Sequence, residues 1–514
     1  MQRISSAFSQ PLYSVAATRQ IERQAAASLP PHTLMQRAGL SVARLTLALA
    51  PHAQRIWVAC GPGNNGGDGF EAALQLHQWG KTVIVTWTGL PAGKTGLPPD
   101  AHASRERALA AGVPMATEPP QGFDFCIDAL LGIGATLDPS RASTALMQQW
   151  LDLMQASDAP RLAVDVPTGL DADTGVTTSA NATNSIAISA NTARASGIFT
   201  LNLLTLKAGL FTAGGRDSAG QVWFDDLGID PAATAAPCAW LLGADRANQP
   251  LRTQAAHASH KGSFGDVAVV GGESTSASHM IGAALLAARA ALHAGAGRVF
   301  VALLGSPSLS IDPQQPELMF RSPEALDLKH QVVVCGCGGG EAVKTVIAKV
   351  LSTATRLVLD ADALNAIAVD PQLQTQLKAR HRRGYGTVLT PHPREAARLA
   401  GSSATAVQAD RLAAARQLAE RFQCVVVLKG SGTVIAAPGQ PAFINASGNA
   451  LLATAGTGDV LAGMLGAYMA GGLSAFEAAC SGVFAHGNRA DPWVAERPGQ
   501  ALTASALASA LTGS

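Results

Sequence analysis

The sequence is poor in charged and in aromatic side chains. Of its 514 residues, 14% are charged and 5% are aromatic, while 47% are hydrophobic and the net charge is +1. A protein that binds nucleic acid or an anionic membrane electrostatically needs a basic patch. The chain has no long run of lysine and arginine. The composition therefore argues against both kinds of partner.

Signals of secretion and of metal binding are also missing. No stretch of about 18 apolar residues is free of glycine, proline or charge, so a membrane span is not expected. The N-terminus, MQRISSAFSQPLYS, lacks a long apolar core, so secretion is not indicated. Seven scattered cysteines fit a reducing cytoplasm better than a disulfide framework. Neither the C-x-C pair Cys335 and Cys337 nor the spacing of the 12 histidines predicts a metal site.

The alternation of strand-like and helix-like segments predicts two α/β domains with parallel sheets. In the first half, strands are predicted at 55–59, 82–87, 123–129 and 161–166, with helices at 70–79, 101–111 and 144–154. In the second half, alternation from residue 266 to 428 is followed by a hairpin around PGQ and helices at 458–469 and 475–490. An Ala- and Pro-rich stretch, 230–260, separates the halves, which predicts domains at 1–230 and 231–514.

The stretch GPGNNGGDGF, residues 61–70, fits the G-x-G-x-x-G template through Gly61, Gly63 and Gly66. A dinucleotide cofactor loop is normally followed about 20 residues later by an acid that binds the ribose. Here the next strand ends in VTWTG, and the loop itself carries Asp68, which repels phosphate. The match is therefore partial. It predicts a glycine-rich turn with N–H groups exposed to an anion, or a tight turn with no ligand.

Other strand ends in the first half place polar groups at the edge where α/β sheets bind ligands. DALLGIGATLDP supplies Asp128, and VDVPTGLDADTG supplies Asp165, Thr168 and Asp171. Oxygen ligands from Asn65, Asp128 and Thr168 suit a hard cation, and a single carboxylate favours a monovalent ion over zinc. Asp165 is then available as an acid or a base. The alternative is that these residues serve as turns and caps.

With CGPGNNGGDGF, the two motifs above and LMQRAG (residues 34–39), the first half resembles the epimerase domain of the bifunctional NAD(P)H-hydrate repair enzymes. The resemblance implies a Rossmann-like fold that interconverts the R and S epimers of hydrated NADH and NADPH. It implies a catalytic Asp165 beside the reacting carbon and potassium at Asn65, Asp128 and Thr168. Further hydrate contacts are implied at Asn64, Asn65, Gly66, Gly67, Asp68, Gly132, Ile133, Gly134, Ala135, Thr136, Leu137 and Asp138. The segment 175–211 is longer than the family pattern predicts, and Ala208 replaces an expected proline.

The second half carries TAGTGDVLAGMLGAYMAGG, residues 454–472, in which glycines allow a tight turn before a helix. The N–H groups of Gly456, Thr457 and Gly458 predict an anion hole for a transferring phosphoryl group. Asp459 beside it is predicted to take a proton from a substrate hydroxyl. A simple helix cap is the alternative. No G-x-x-x-x-G-K-[ST] motif occurs, so this is not a P-loop enzyme.

Three further motifs lie at predicted strand ends of the second half. LKGSGTVI, residues 428–435, offers Lys429 and a small-residue turn to a nucleotide phosphate. LTPHPREAARL holds His392 between two prolines, a rigid setting for one hydrogen bond. VLDADALN supplies Asp360 and Asp362, which either act through metal or water or stabilise a turn.

These motifs, with the opening HKGSFGDVAVVGG, resemble the ribokinase-like dehydratase domain of the same repair enzymes. The resemblance implies that ADP or ATP, with Mg²⁺, drives dehydration of the S-hydrate through phosphorylation of its hydroxyl and elimination of phosphate. The implied hydrate contacts are Ala283, Gly340, His392 and the catalytic Asp459; the implied nucleotide contacts are Lys429, Gly430, Ser431, Gly432, Thr433 and Gly458. VVVCGCGGG departs from the family, with Cys337 in place of proline and Gly339 in place of leucine.

The sequence therefore predicts a cytoplasmic, homo-oligomeric enzyme whose partners are hydrated NADH, hydrated NADPH and an adenine nucleotide. The alternative is a ribokinase-like kinase of a vitamin or small alcohol with an N-terminal ligand-binding or assembly module. The Gly-Asp anion hole fits both, but a simple kinase has no need of the first domain.

Overall fold

A computed structural model of the chain describes residues 1–90, 95–134, 137–138, 140, 142–177, 197–247, 256–276 and 279–510. The chain divides into two compact units. Unit 1 comprises Met1–Ser5 and Pro11–Ala239, and unit 2 comprises Ser6–Gln10 and Trp240–Ser514. The segment Ser6–Gln10 thus groups with unit 2 although it lies near the N-terminus. No helix in the described ranges is long and apolar enough to cross a bilayer.

Unit 1 is built on a mainly parallel sheet covered by helices. The strands of this part of the chain are β1 (Gln2–Arg3), β2 (Gln10–Tyr13), β3 (Arg55–Cys60), β4 (Thr82–Trp87), β5 (Met115–Ala116), β6 (Phe125–Ala129), β7 (Arg161–Val164), β8 (Ile198–Leu203), β9 (Leu206–Lys207) and β10 (Gln221–Asp225). All of them except β2 and β9 belong to this sheet. The helices are Val15–Ser28, Thr33–Leu49, Asn64–Gln78, Pro99–Ala110, Ala142–Ala156 and Gly215–Ala219. The sheet order is β1-β10-β8-β7-β6-β3-β4-β5, with β1 antiparallel to β10 and the other neighbours parallel. The carboxyl ends of β8, β7, β6 and β3 therefore share one edge.

The helix after β3 begins earlier than the sequence predicts. We expected it from residue 70, but it covers Asn64–Gln78. The glycines of the loop allow close packing: a methyl group added at Gly66 would lie 2.1 Å from the carbonyl oxygen of Gly61. A methyl group at Gly69 would lie 2.6 Å from the side chain of Ala129 on β6. The helix can therefore start directly at the strand end, which places Asn65 and its neighbours in the first turns.

Unit 2 contains a longer sheet of the same kind. Its strands are β11 (Ala239–Leu242), β12 (Asp266–Ser274), β13 (Arg298–Gly305), β14 (Met319–Phe320), β15 (Val332–Cys335), β16 (Arg356–Leu359), β17 (Gly386–Leu389), β18 (Val425–Leu428), β19 (Val434–Ala436) and β20 (Phe443–Asn445). The order is β14-β13-β12-β15-β16-β17-β18-β19-β20-β11. Neighbours from β14 to β18 are parallel, whereas β18, β19 and β20 pair antiparallel, which confirms the predicted hairpin.

The helices of unit 2 are Ala244–Ala247, Ile281–His293, Ile347–Thr353, Ala361–Val369, Pro371–Arg382, Pro393–Ala400, Ala404–Ala409, Arg411–Phe422, Thr457–Ala470, Ala475–Glu496 and Ala504–Ser509. Helices connect the parallel strands of both units, so the predicted α/β fold class with parallel sheets is confirmed.

Small residues let two helices of unit 2 approach each other closely. Gly463, on the helix Thr457–Ala470, is buried against the neighbouring helix Ile281–His293. A methyl group added at Gly463 would lie 2.0 Å from the carbonyl oxygen of Ala287. The same addition at Gly282 would meet nothing within 4 Å. The two glycines are therefore under opposite steric constraints.

We expect Gly463→Ala to lower the free energy of unfolding of unit 2 by about 1–3 kcal/mol, because the added methyl group overpacks the helix contact. Gly282→Ala is the matched control: at this exposed helical position alanine stabilises by up to about 1 kcal/mol. Calorimetric unfolding of the full chain measures both. Equal effects of the two substitutions would contradict the close helix packing described above.

Candidate active sites

Unit 1 contains a cavity of about 1150 Å³ at the carboxyl edge of its sheet. Most of the predicted epimerase residues line it: Asn64, Asn65, Asp68, Gly132, Ile133, Gly134, Leu137, Asp138 and Asp165. Gly66 and Gly67 are buried beneath it in the same helix turn. Ala135 and Thr136 lie outside the described residues, as does 178–196 of the long segment. The structure therefore brings together residues that follow β3, β6 and β7.

Asp165 follows β7 and is fixed by a buried polar network. Its Oδ1 accepts hydrogen bonds from Lys207 Nζ at 2.5 Å, from Asn202 Nδ2 at 3.0 Å and from Leu203 N at 3.2 Å. Asn202 Nδ2 also donates to the main-chain oxygen of Asp165 at 2.7 Å. Lys207 is 1% exposed and donates to the carbonyl of Leu203 as well, at 2.6 Å. A buried ammonium therefore balances the Asp165 charge.

Two further carboxyl groups, Asp68 and Glu22, face the same cavity. Burial raises the pKa of Asp68 well above its ordinary range, and the nearby Asp165 and Glu22 raise it further. Burial also raises the pKa of Glu22, with Asp165 adding to the effect and Lys207 opposing it. Burial and mutual repulsion therefore favour the protonated forms of Asp68 and Glu22, while Asp165 in the same cavity is paired with Lys207.

The three predicted cation ligands also lie close together. Thr168 Oγ1 donates to Asp128 Oδ1 at 2.7 Å, and Thr168 N donates to Asp128 Oδ2 at 3.1 Å. Leu131 N donates to Thr168 Oγ1 at 3.0 Å. A methyl group added at Gly132 would lie 3.1 Å from Asn65 Oδ1, so Asn65 contacts the same segment. Asn65 Nδ2 is buried without a hydrogen-bond partner among the described residues.

In unit 2 the predicted residues converge on the carboxyl ends of successive parallel strands, the edge where such sheets bind ligands. In chain order, Ala283, Gly340, Asp360, His392 and Lys429 follow β12, β15, β16, β17 and β18. Gly458 and Asp459 lie in the first turn of the helix Thr457–Ala470.

Contacts bring Lys429, Asp360 and Gly458 next to one another. Lys429 Nζ donates to Asp360 Oδ1 at 2.7 Å, and Lys429 N donates to Pro391 O at 2.9 Å. Thr390 Oγ1 donates to the same Asp360 oxygen at 2.7 Å. A methyl group added at Gly458 would lie 3.2 Å from Lys429 Nζ, so the helix start faces this amine. Lysine and helix N-terminus together form a positive position suited to a phosphate.

Asp459 lies at the negative side of this site. Its carboxyl group, the Asp360 carboxyl group and the Cys337 thiol all lie within 4.8 Å of one another. Burial, reinforced by Asp360, raises the pKa of Asp459 to about 7. Cys337 hydrogen bonds to Asp459, which opposes that rise. Asp459 therefore exchanges its proton near neutral pH, as a general base should.

The loop after β15 is held by two acids. Glu273 Oε1 accepts from Ala342 N at 2.8 Å, and Asp362 Oδ2 accepts from Gly340 N at 2.9 Å. A methyl group at Gly340, where φ is +51°, would lie 1.9 Å from Glu273 Oε2. Asp362 thus contacts this loop from the helix Ala361–Val369. The sequence alone left open whether Asp362 acts through metal or water or stabilises a turn.

The turn at 430–433 connects β18 to β19. Gly430 has φ +136°, and a methyl group there would lie 2.9 Å from the Arg411 guanidinium. Arg411 is buried and donates to Leu428 O and Lys429 O, both at 3.2 Å. Thr433 Oγ1 donates to Gly430 O at 3.1 Å. The turn that carries the predicted nucleotide contacts is therefore anchored to a buried arginine.

His392 caps the helix Pro393–Ala400. Its Nδ1 accepts from Arg394 N at 3.1 Å and from Glu395 N at 3.3 Å. Burial lowers its pKa, and the nearby Lys429 lowers it further. The predicted rigid histidine is thus a neutral cap close to the Lys429–Asp360 pair.

Several residues that complete the sites were not predicted. Glu22 lies on an amphipathic helix, where an acid carries no special signal. Asn202 interrupts the apolar strand β8, and His486 interrupts the apolar helix Ala475–Glu496. A buried polar residue in an apolar segment was the available signal for both. Lys207 precedes Ala208, which lies in a short 3₁₀ helix, and no motif in the sequence singles it out.

The chain matches two family models. Residues 31–202 match the model described as YjeF-related protein N-terminus, and residues 267–512 match the model described as NAD(P)H-hydrate dehydratase. The chain is 36% identical over 513 residues to the bifunctional NAD(P)H-hydrate repair enzyme Nnr of Escherichia coli K12, covering 96% of this chain and 92% of the relative. It is 35% identical to the enzyme of that name from Coxiella burnetii, covering 93% and 94%.

Two comparisons concern the second half. The chain is 44% identical over 240 residues to the ADP-dependent (S)-NAD(P)H-hydrate dehydratase of Neisseria meningitidis, covering 45% of this chain and 78% of the relative. A crystal structure of the ADP/ATP-dependent NAD(P)H-hydrate dehydratase from Bacillus subtilis, co-crystallised with ATP/Mg²⁺, is 31% identical. It covers 52% of this chain and 93% of that one, with a TM-score of 0.45.

The fold and the matches define a two-domain α/β enzyme with a lysine–aspartate pair at the sheet edge of each unit. The similarity to the full-length relatives is more specific. The chain belongs to the family of bifunctional NAD(P)H-hydrate repair enzymes.

His486 yields a stability prediction for the start of the helix that carries Asp459. Its Nε2 lies 2.9 Å from Thr457 O, and burial lowers its pKa to about 4. Because the unfolded state binds a proton below about pH 6.5 and the folded state does not, acid destabilises the fold. We expect His486 to account for a loss of about 2 kcal/mol between about pH 7 and about pH 5.

Urea unfolding of wild type and His486→Gln at both pH values gives the free energy of unfolding of each protein. The loss appears as a change with pH in the difference between the two free energies. His381 is exposed and provides the matched control. The difference in free energy of unfolding between wild type and His381→Gln should be the same at both pH values. A wild-type stability that is as insensitive to acid as that of His486→Gln would contradict the neutral, buried state of His486.

Proposed function

We propose that this chain repairs hydrated NADH and NADPH in two steps. The domain of residues 1–230 interconverts the R and S hydrates, and the domain of residues 231–514 dehydrates the S-hydrate with ADP or ATP. One observation carries the proposal. Asp459 lies beside Lys429 at a glycine-bordered helix start, in a chain that matches bifunctional relatives over 96% of its length.

In the proposed dehydration, the N–H groups at Gly456–Gly458 and the Lys429 ammonium stabilise the transferring phosphoryl group. Asp459 takes the proton of the hydrate hydroxyl as that oxygen attacks phosphorus. The ring nitrogen's lone pair then expels phosphate, a far better leaving group than hydroxide, and forms a carbon–nitrogen double bond. Loss of a proton from the adjacent ring carbon returns those electrons to nitrogen and forms the carbon–carbon double bond of the reduced nicotinamide. Ala283, Gly340 and His392 contact the hydrate, and residues 429–433 with Gly458 contact the nucleotide, which Mg²⁺ accompanies.

In the proposed epimerisation, Asp165 acts on the hydrate within the cavity of unit 1. The remaining hydrate contacts come from residues 64–68 and 132–138. The strand-end glycines support this role because they leave room for a ring and its carboxamide against the main chain. The buried Lys207–Asp165 pair supports it further, because it fixes one carboxylate oxygen and leaves the other available.

We also propose a potassium ion at Asn65, Asp128 and Thr168. The donor set fits, since it combines one carboxylate with neutral oxygens, and the unsatisfied Asn65 amide is the polar group that such an ion would use after rotation. A bound potassium ion would neutralise Asp128 and stiffen the Leu130–Gly132 segment. The residues themselves orient the loop that lines the cavity.

We further propose that the protein acts in the cytoplasm and forms homo-oligomers. The seven cysteines all lie among the described residues and form no disulfide there, as expected for a reducing cytoplasm. Assembly into homo-oligomers stays a prediction that light scattering can decide.

We expect Asp459→Asn to lower ADP-dependent dehydration of the S-hydrate by at least about 100-fold, because no base remains for the hydroxyl. In the wild type this rate should fall below about pH 7, where Asp459 becomes protonated. Asp165→Asn should leave dehydration intact and abolish epimerisation of the R-hydrate. Recovery of reduced nicotinamide absorbance measures dehydration, and chiral chromatography measures epimerisation. Phosphorylation of a vitamin alcohol with no hydrate turnover would favour the kinase alternative.

The potassium proposal has its own test. We expect potassium, but not lithium, to raise both the epimerase rate and the melting temperature of unit 1 in the wild type, because only the folded state binds the ion. Thr168→Val should remove both effects. Thr174→Val is the control, since the Thr174 hydroxyl hydrogen bonds to Asp171 at 2.9 Å instead. A potassium effect that survives Thr168→Val unchanged would contradict the assignment.

A further inference from the structure

The carboxyl groups in the cavity of unit 1 differ sharply in their contacts. Asp165 Oδ1 accepts three hydrogen bonds, whereas Asp165 Oδ2 has no partner among the described residues. Asp165 also has φ +65°, a backbone conformation that costs about 1–3 kcal/mol for a non-glycine residue. Such a conformation persists only where surrounding contacts fix it, and Lys207 and Asn202 provide those contacts. One carboxylate oxygen is thus anchored and the other is free to react.

Asp68 presents the opposite case. It lies in the second turn of the helix Asn64–Gln78 and lines the same cavity. Its carboxyl group has no hydrogen bond or ion pair with any residue that the structure describes. Burial and the neighbouring acids raise its pKa well above the usual range. Both effects favour the protonated form of Asp68, which can donate a proton.

Among the described residues, the charged and titratable groups around Asp68 come from several elements. Of these groups, Lys207 is the cation that lowers the pKa of Asp68. The groups are Glu22 on the helix Val15–Ser28, Glu71 on its own helix, Cys60 on β3, and Asp165 and Lys207 after β7 and β8. Glu71 is neutralised by Arg107 at 2.7 Å, and Arg19 lowers the pKa of Glu22.

We propose that Asp68 is the general acid and Asp165 the general base of the epimerisation, with Lys207 as the residue that positions Asp165. The inference rests on the proposed epimerase function of unit 1. It assigns the two carboxyl groups to opposite faces of the hydrated ring, with the reacting carbon between them.

The chemistry balances without an oxidant or reductant. Asp68 gives its proton to the hydroxyl of the hydrate, and the carbon–oxygen bond breaks with its electron pair on the departing water. The lone pair of the adjacent ring nitrogen forms a carbon–nitrogen double bond, which makes the carbon planar. Water then adds to the other face, the double-bond electrons return to nitrogen, and Asp165 takes the proton. The reverse epimerisation uses the same two groups in exchanged roles, and water in the open cavity returns the proton.

The test measures epimerisation of pure R-hydrate against pH, with dehydration of S-hydrate by the same samples as the check of folding. We expect Asp68→Asn to lower epimerisation by at least about 100-fold and to abolish the fall of the rate at alkaline pH. Asp68→Glu should restore part of the rate and this alkaline fall, because it restores an acid. Asp100→Asn makes the same chemical change in the same cavity, outside the proposed machinery, and should change the rate by less than about threefold.

Lys207 is tested by a readout that a purely structural role would not move. Removing its charge in Lys207→Met should raise the pH needed to ionise Asp165, so the acidic fall of the rate should shift to higher pH. Lys207→Arg should restore the original position of this fall.

Several outcomes would overturn the inference. They are an alkaline fall that survives Asp68→Asn, an alkaline fall that Glu22→Gln removes instead, or an acidic fall that Lys207→Met leaves in place. A wild-type enzyme that leaves R-hydrate unchanged would contradict the proposed function itself, and is thereby distinguished from failure of the acid–base assignment.

Discussion

Both sites depend on a lysine paired with a buried aspartate at the end of a parallel strand. Lys207 holds Asp165 in unit 1, and Lys429 holds Asp360 in unit 2. Removing one partner of a buried ion pair typically costs about 3–5 kcal/mol, because it leaves the other charge uncompensated. Each pair therefore holds a positive and a negative charge at a fixed buried position. These charges shift the pKa of the neighbouring acids Asp68 and Asp459.

The pairs act differently in the two units. In unit 1 the lysine contacts the predicted catalytic Asp165 directly, so it balances one reacting group and leaves Asp68 unpaired. In unit 2 the lysine contacts Asp360, and Asp459 lies close by with its pKa raised to about 7. Unit 1 thus combines a paired carboxylate with a carboxyl group whose pKa is raised, while unit 2 places a carboxyl group with a pKa of about 7 near a lysine. Proton transfer and phosphoryl transfer require these respective arrangements.

Glycine has a different role in this protein from the one that its motifs first indicate. In GPGNNGGDGF the glycines allow a helix to begin directly at the end of β3, against another main-chain segment. The sequence predicted a longer turn because glycine normally disfavours helix interiors. Tertiary packing overrides that preference, since only a residue without a side chain fits beside the Gly61 carbonyl. The polar residues between the glycines are thereby brought into the cavity wall.

The sequence by itself determined the alternation of strands and helices, the parallel sheets and the family. Local sequence patterns are enough to predict these features, because a strand end followed by glycine and an acid can be recognised within about a dozen residues. Tertiary structure alone decided which distant residues complete each site. Lys207 meets Asp165 because the neighbouring parallel strands β7 and β8 have their carboxyl ends at one edge, and Glu22 reaches the same cavity from the helix Val15–Ser28. Burial, which raises the pKa of Asp68 and Glu22, is likewise a property of the folded chain and of no single segment.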